Sequence, residues 1–407
     1  MEFTTDQAGL ADRTADVCRA VWNTGLEQRR EYRRRGAWMN YKEQAHELAE
    51  AKKDHAWLTE APSHCLQQSL RDLDEACRRH GTYRVRWRSA RRRPSFRFPE
   101  GSKMALEKLN RRKAQIKLPK LGWVRFRASR DLGGDTIRSA TLTKDGKHWY
   151  ISLLVDDGKT TPDSHAAPDT AVGVDRGVAV AVATSAGDLL DQVFTTPGEK
   201  RRALQLRRKL SRSAKRSRNR EKTRAALGVT RARERRRRQD FCAQSAHQLT
   251  TAHALVVIED LKTKQMTRSA KGTLETPGRN VKAKSGLNRA ILAKGWHQFA
   301  LALTSAARYS GTLVIKVPAA YTSQRCSSCG QVDPKSRESQ AVFRCTTCQH
   351  GPVHADINAA KNILAAGLAV TACEDNARPT GQAASLKQEP AGTREELLLQ
   401  PHPATAA

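Results

Sequence analysis

No apolar run in this 407-residue chain reaches the ~18 residues of a membrane-spanning helix. The first twenty residues carry early acids and no apolar core, so no secretory signal is expected. A basic amphipathic helix with bulky apolar residues is also missing, which weakens a membrane surface as partner. Cysteine is sparse. Of nine in the chain, Cys18, Cys65, Cys77, Cys242 and Cys373 stand apart. That scatter excludes a disulfide framework and suits a reducing cytoplasm. The five are expected as small apolar core residues. Acids are in deficit: 41 Asp and Glu against 73 Lys and Arg leave a formal charge of +32. Such a charge strains a compact state unless a polyanion offsets it. Nucleic acid, held through its phosphates, is the expected partner.

The length allows two to four domains. Residues 1–90 read as a helical lobe. Leu10, Val17, Val21 and Leu26 recur at helical spacing, as do Leu66, Leu70, Leu73 and Ala76 after Ser63. From 78 to 93, Arg78, Arg79, Arg84, Arg86, Arg88, Arg91, Arg92 and Arg93 interleave with Tyr83 and Trp87. Basic plus aromatic is a mixture that grips phosphates and stacks bases. Arg84, Arg86, Trp87 and Arg88 are therefore candidate nucleic-acid contacts; the plainer alternative is a solvated loop anchored by its aromatics. Residues 91–165 alternate as short strands at 95–98, 116–118, 123–126, 137–142 and 149–155, with glycines between them. Thr143 to Lys147, with Asp145-Gly146 at its centre, reads as a hairpin turn. A small β-barrel is expected there, closed by a linker from Asp156 to Pro168.

In 166–198, Ala171–Asp175 and Gly177–Thr184 are a pair of buried strands, with a third at Leu189–Thr195. Residues 199–250 are the most basic block: 200–238 holds 19 Lys and Arg against Glu221 and Glu234. At a terminus such a run would repel itself into disorder. Here it lies between core strands, so a helical hairpin resting on a nucleic-acid backbone is expected. Arg207, Arg208, Lys209, Arg235, Arg236 and Arg237 are its candidate contacts. In 251–319, Leu255–Asp260 is a buried parallel-type strand, 265–287 a polar loop, and Thr312–Val317 another strand. Leu292, Trp296, Phe299 and Leu303 mark one amphipathic helix between the last two. The tail, 373–407, is expected to be disordered.

Cys326-x-x-Cys329 and, fifteen residues on, Cys345-x-x-Cys348 form the strongest single motif. Each knuckle points two sulfurs at one ion, and four soft ligands suit tetrahedral zinc. A redox pair is the alternative. A closed four-sulfur site is structural, which leaves any catalytic metal elsewhere. Three acids are candidates. Taken singly, each has an ordinary reading: Asp175 a satisfied core acid, Glu259 a strand end, Asp356 a helix N-cap. Together, two strand acids and one at a helix start can hold two divalent ions about 3.5–4 Å apart, as phosphodiester hydrolysis requires. Oxygen ligands favour magnesium or manganese.

The segments Val174-Asp175-Arg176-Gly177, Val257-Ile258-Glu259-Asp260-Leu261, Tyr321-Thr322-Ser323-Gln324-Arg325-Cys326 and His354-Ala355-Asp356-Ile357-Asn358 resemble the TnpB family. That family is encoded by insertion sequences and is related to the type V CRISPR effectors. Cys18-Arg19-Ala20-Val21-Trp22-Asn23, 66–73 and 116–122 extend the resemblance over roughly 5–370. The resemblance implies an α/β fold: an RNase H-like RuvC nuclease domain in three parts (166–198, 251–319 and 353–372). An N-terminal helical recognition lobe, a wedge-like barrel and an inserted zinc ribbon (320–352) complete it. Asp175, Glu259 and Asp356 would be catalytic metal ligands for magnesium or manganese, beside a structural zinc. The implied partners are a guide RNA from the element's own end and a target DNA next to a short flanking motif. A monomer within a bacterial, cytoplasmic, nucleoid-associated ribonucleoprotein is implied. Family members carry a short strand with Tyr, Arg and Pro ahead of the first helix. This sequence starts almost at the helix, so either its start codon is set late or that barrel strand is missing. The rivals are a guided DNA-binding regulator that no longer cuts, a transposase that joins ends itself, and a nonspecific RNA binder.

Overall fold

In the computed structural model, residues 1–90, 94–129, 136–273 and 275–376 are described. They divide into two compact units, Met1–Thr160 with Thr195–Arg235, and Thr161–Phe194 with the residues from Arg236 onward.

The first unit opens with four helices: α1 (Thr5–Arg34), α2 (Tyr41–Asp54), α3 (Ala56–Glu60) and α4 (Ser63–His80). Thr4 caps α1 in a reciprocal pair with Gln7. Gln7 also donates to the Leu121 and Trp123 carbonyls at 2.9 and 3.0 Å. Cys18, Val21, Trp22 and Leu26 of α1 meet Leu66, Leu70 and Leu73 of α4 in one buried cluster. Gly25 permits the approach: a Cβ there would sit 3.0 Å from the Leu70 and Leu73 methyls. Inside this apolar contact lies an ion pair. Arg29 bonds Asp74 at 2.8 Å and donates to Gln44 at 2.7 Å, and Gln44 donates to the Gly25 carbonyl at 2.8 Å. As expected, Cys18, Cys65, Cys77 and Cys242 are buried free thiols. Cys373 lies where no side chain is described.

Six strands follow: β1 (Ser95–Phe98), β2 (Ala105–Lys108), β3 (Lys113–Leu118), β4 (Gly122–Arg127), β5 (Thr136–Asp145) and β6 (His148–Asp156). The expected barrel does not close. The strands form two three-stranded antiparallel sheets, β1-β5-β6 and β2-β3-β4, and among the described residues no strand pairing joins them. The reason lies in their faces. Phe96, Phe98, Leu142 and Trp149 on one sheet and Ile116, Leu118, Val124 and Phe126 on the other enter the same buried cluster as α1 and α4. One shared cluster buries the apolar residues of both sheets without an edge-to-edge seam. The β5–β6 hairpin turns at Gly146, with Asp145 opposite His148, as expected. At the start of the chain, Glu2 forms an isolated antiparallel bridge to Arg125 of β4. The basic block is helical: α5 (Pro197–Arg212) and α6 (Arg218–Ala252). Arg220 donates to the Leu210 and Ser213 carbonyls and so ties the turn between them. No residue of α5 is buried. Arg91, Arg92, Arg93, the glycines at 133 and 134, and 377–407 fall outside the described residues.

The second unit is built on a five-stranded sheet, ordered β11-β10-β7-β8-β9. Its strands are β7 (Ala171–Asp175), β8 (Val182–Thr184), β9 (Leu189–Leu190), β10 (Leu255–Glu259) and β11 (Leu313–Val317). β10 runs parallel to both β7 and β11, and β7, β8 and β9 meander antiparallel. Every residue of β10 is buried, the expected mark of a central parallel strand. Two expectations change here. The polar loop is interrupted by α7 (Thr263–Met266), and a helix already begins at Val281. The single amphipathic helix is two, α8 (Val281–Lys294) and α9 (Trp296–Ser310), because Gly295 adopts φ +76° and ends the first. Leu292 is consequently exposed, while Ile291 is buried. A hairpin of β12 (Val342–Phe343) and β13 (Val353–His354) leads into α10 (Ala355–Asn376), which runs four residues into the expected tail.

Asp74→Ala would leave the Arg29 guanidinium buried beside Gln44 alone. The expected loss is roughly 3–5 kcal/mol of stability, read by denaturant unfolding. Combining it with Arg29→Met should recover most of the loss.

Candidate metal centre

The sheet brings two of the acids together by register. Val174 pairs with Ile258, so Asp175 and Glu259 end adjacent parallel strands at the same edge. α10 delivers the third. A Cβ on Gly173 would lie 2.1 Å from the Ala360 carbonyl oxygen and 2.6 Å from the Leu364 nitrogen, so α10 rests directly on the β7 backbone. Asp356 sits in its first turn. A Cβ on Gly177 would be 3.3 Å from Asp356 Oδ2, which places that carboxylate over the turn after Asp175. The charges of Glu259 and Asp356 both act on Asp175, so the three acids lie near one another at this edge.

Each has a neighbour that sequence patterns did not single out. The Thr322 hydroxyl donates to Glu259 Oε1 at 2.6 Å. The Arg337 guanidinium donates to Asp356 Oδ1 at 3.1 Å and to the Gln340 carbonyl at 2.9 Å. Arg176, 5% exposed, donates to the carbonyls of Glu259 and Trp296. The Trp296 indole in turn donates to the Gly177 carbonyl at 3.0 Å. Arg176 adjoins Asp175 in the chain and could have been found from that alone. Arg337 lies between the cysteine knuckles, where no spacing rule points to an acid partner.

Electrostatics mark the same place. Burial, then the charges of Glu259 and Asp356, push Asp175 up to about 7. Burial also raises Glu259, against the Thr322 hydrogen bond and Arg176. Carboxylates so crowded want a cation, and their oxygens favour a hard divalent one. Among the described residues, only the four cysteines bring three or more His, Cys, Asp or Glu ligand atoms within 4.8 Å of one another. The acids are set wider, each with an oxygen or a backbone neighbour already engaged.

The cysteines fit zinc closely. Cys326 Sγ to Cys348 Sγ and Cys329 Sγ to Cys345 Sγ are both 3.7 Å. A tetrahedron with Zn–S near 2.3 Å has edges of about 3.8 Å. Backbone N–H groups of Ser328, Thr347 and Cys348 point at Cys326 and Cys345 sulfurs at 3.4 Å. The Cys348 and Thr347 N–H groups bring the Cys345 thiol down to about 6, toward the thiolate a metal needs. The module is stitched to α10. Asn358 accepts from Ser327 N at 3.0 Å and donates to the Arg325 carbonyl at 2.8 Å, and Asn362 donates to the Thr322 and Arg325 carbonyls.

The candidate nucleic-acid contacts sort by exposure. Arg84, Arg86, Arg207, Arg208, Lys209 and Arg236 are exposed, and Trp87 is 41% exposed. Arg88 is half-buried, its guanidinium 3.7 Å over the Trp22 ring. Arg235 pairs with Asp145 at 2.7 Å, and Arg237 donates to the Phe194 carbonyl at 2.9 Å, so both already serve the fold. Among the described residues, no helix is long and apolar enough to cross a membrane.

Comparison with known proteins bears on all of this. Residues 152–270 match the OrfB_IS605 family model, described as "Probable transposase", and 296–363 match the "Cas12f1-like, TNB domain". Residues 1–37 match a "Helix-turn-helix domain", a stretch in which the structure has the single helix α1. The chain is 38% identical over 391 residues to "Putative RNA-guided DNA endonuclease InsQ" of Escherichia coli (strain K12), covering 93% of this chain and 92% of that one. It is 31% identical over 407 residues to "Putative RNA-guided DNA endonuclease" of Streptomyces pristinaespiralis, covering 95% and 94%. The fold matches the chain in "Cryo-EM structure of the Cas12f1-sgRNA-target DNA complex" at TM-score 0.57 and 15% identity, over 89% of this chain and 83% of that one.

Two outcomes are expected. Purified protein should hold one zinc by atomic absorption, and Cys345→Ser should lose it. Asp175, ordinarily near 3.8, has its folded-state value raised, so the folded form binds the proton more tightly. Without divalent ions, stability should fall as pH rises from about 4 to about 7. Melting temperatures in a chelating buffer would show that slope, and Asp175→Asn should flatten it.

Proposed function

The chain belongs to the TnpB family, and from that premise we infer that it is an RNA-guided DNA endonuclease of an IS605-type mobile element. Its 38% identity to InsQ over nearly the whole chain carries the reading, and the convergence of Asp175, Glu259 and Asp356 supports it. The second unit is then the RuvC nuclease, an RNase H-like sheet with the zinc ribbon inserted ahead of α10. The helices and paired sheets of the first unit are the recognition lobe and wedge. Exposed α5 and the first turns of α6 suit the backbone of an RNA–DNA heteroduplex. Base pairing with the guide chooses the sequence, and the protein reads a short flanking motif.

Divalent ions, magnesium or manganese, supply charge neutralisation and water activation for phosphodiester hydrolysis. Asp175, Glu259 and Asp356 would hold them. The protein's own part is orientation. Thr322 fixes one oxygen of Glu259 and Arg337 one oxygen of Asp356, which leaves the other oxygen of each to face a ligand. Arg176 braces the ends of β7 and β10 by gripping the Glu259 carbonyl, and its buried positive charge offsets the acids. Arg337 also brings a cation to the edge where a phosphate would arrive.

Co-expression with the DNA downstream of the gene should yield a discrete structured RNA ending in a variable stretch. DNA complementary to that stretch, beside a randomised flank, should be cut. Asp175→Ala should reduce cutting to background and leave RNA binding intact; cutting by this variant would overturn the assignment of the acids. Thr322→Val and Arg337→Ala should each weaken divalent-ion affinity or cutting by about 10- to 100-fold. Joining of element ends in a strand-transfer assay would favour the transposase reading instead.

A further inference from the structure

The segment that leaves α4 at Gly81 makes no sheet ladder, yet its backbone is firmly held by α1. Asn23 donates to the Arg88 carbonyl at 3.1 Å and accepts from the Arg88 nitrogen at 2.8 Å. The Trp22 indole donates to the Arg86 carbonyl at 3.3 Å, and Arg30 donates to the Val85 carbonyl at 2.8 Å. Between this segment and α1 lies a cavity of about 320 Å³. Asp16, Arg19 and Trp22 line it from the helix, and Arg86, Trp87 and Arg88 from the segment.

Its chemistry is unusual for a solvated crevice. The Arg88 guanidinium sits over the Trp22 ring, its carbon 3.7 Å from the ring centre, and burial lowers its pKa. Among the described residues no oxygen accepts from it. Asp72, the acid whose charge acts on it, is engaged by Gln68 and Arg97, each at 2.7 Å. Arg19 bonds Asp16 at 2.9 Å through one nitrogen, but its Nε is buried without any acceptor. Trp87 presents a partly exposed ring, backed by Arg30 at 4.9 Å. Arg19 Nε, buried without an acceptor, is a standing free-energy cost, and an anion would offset it. A metal ion is repelled by three arginines. A carboxylate would satisfy the charge and leave the aromatic rings unused. Unpaired bases stack on aromatic side chains and on guanidinium planes, and arginines bind phosphate in bidentate fashion.

We propose that this cavity is a subsite for a single unpaired nucleotide, its phosphate on Arg88 and Arg19 and its base stacked beside Trp87. The site rests on the guided-nuclease reading only for the source of that nucleotide, an unpaired position of the guide RNA or of displaced DNA.

The test uses the full chain, freed of bound RNA, with short single-stranded RNA and DNA probes carrying 5-iodouridine or its deoxy form. Irradiation should cross-link the probe to Trp87 or Trp22, located by peptide mass spectrometry. Trp87→Ala should weaken probe binding about tenfold, within the range for loss of one stacked base. Arg88→Ala should also reduce the slope of log affinity against log salt by roughly 0.7 for each phosphate that is no longer neutralised. Arg88→Lys should restore the slope but not the full affinity. Unchanged melting temperatures would separate these effects from misfolding. Cross-linking with RNA alone assigns the site to the guide, and with DNA alone to the displaced strand; equal reaction assigns it to either. Cross-links confined to α5 and α6, or wild-type binding by both alanine variants, would overturn the subsite. A chain that cross-links at Trp87 yet never cuts guided targets would overturn the nuclease reading and leave the subsite standing.

Discussion

A missing side chain at Gly173 decides how the second unit is put together. With no Cβ there, α10 lies on the backbone of β7 at a separation that any larger residue would forbid. That approach carries the first turn of α10, and with it Asp356, to the edge where β7 and β10 end. Gly177 repeats the device one turn of chain later, beneath Asp356 Oδ2. Three acids from distant parts of the sequence therefore meet because two glycines let a helix approach a strand. Pairing between Val174 and Ile258 does the rest.

Crowded carboxylates would repel one another in most settings. Here the surrounding residues divide the problem. Arg176 supplies a buried positive charge behind the strands, Arg337 a second beside Asp356, and Thr322 a neutral donor to Glu259. Asp175 receives neither a cation nor a hydroxyl of its own, and it is the acid driven highest. It is accordingly the group with most to gain from a bound divalent cation.

Much of this was legible in the sequence. Buried strands leave continuous β-branched runs, so Ala171–Asp175 and Leu255–Asp260 could be placed, along with the acids that end them. Paired cysteines declare a metal site by spacing alone, and the sulfur separations agree. What stayed hidden depends on conformation or on distance along the chain. Gly295 looks like any interior glycine until its positive φ splits one expected helix into two. β2, Ala105–Lys108, has one half-buried residue and no apolar alternation to announce it. The barrel failed because short alternating strands predict sheets but not which edges meet. Arg235 and Arg237 sit in a basic run whose composition says nucleic acid, yet each answers an internal acceptor. Charge density identifies the partner of a surface; it does not say which arginines are spare.

The zinc module meets the acids twice, since Thr322 precedes its first knuckle and Arg337 lies between its two. α10 grips it through Asn358 and Asn362. The insertion between β9 and β10 makes no such demand on the acids, because the hydrogen bonds that orient Glu259 and Asp356 come from elsewhere. The two insertions therefore differ in evolutionary freedom. Helix α5 and the exposed first turns of α6 can lengthen, shorten or change charge without disturbing the hydrogen bonds on the acids. The cysteine-bearing segment must be inherited together with the edge that carries the acids, as one piece.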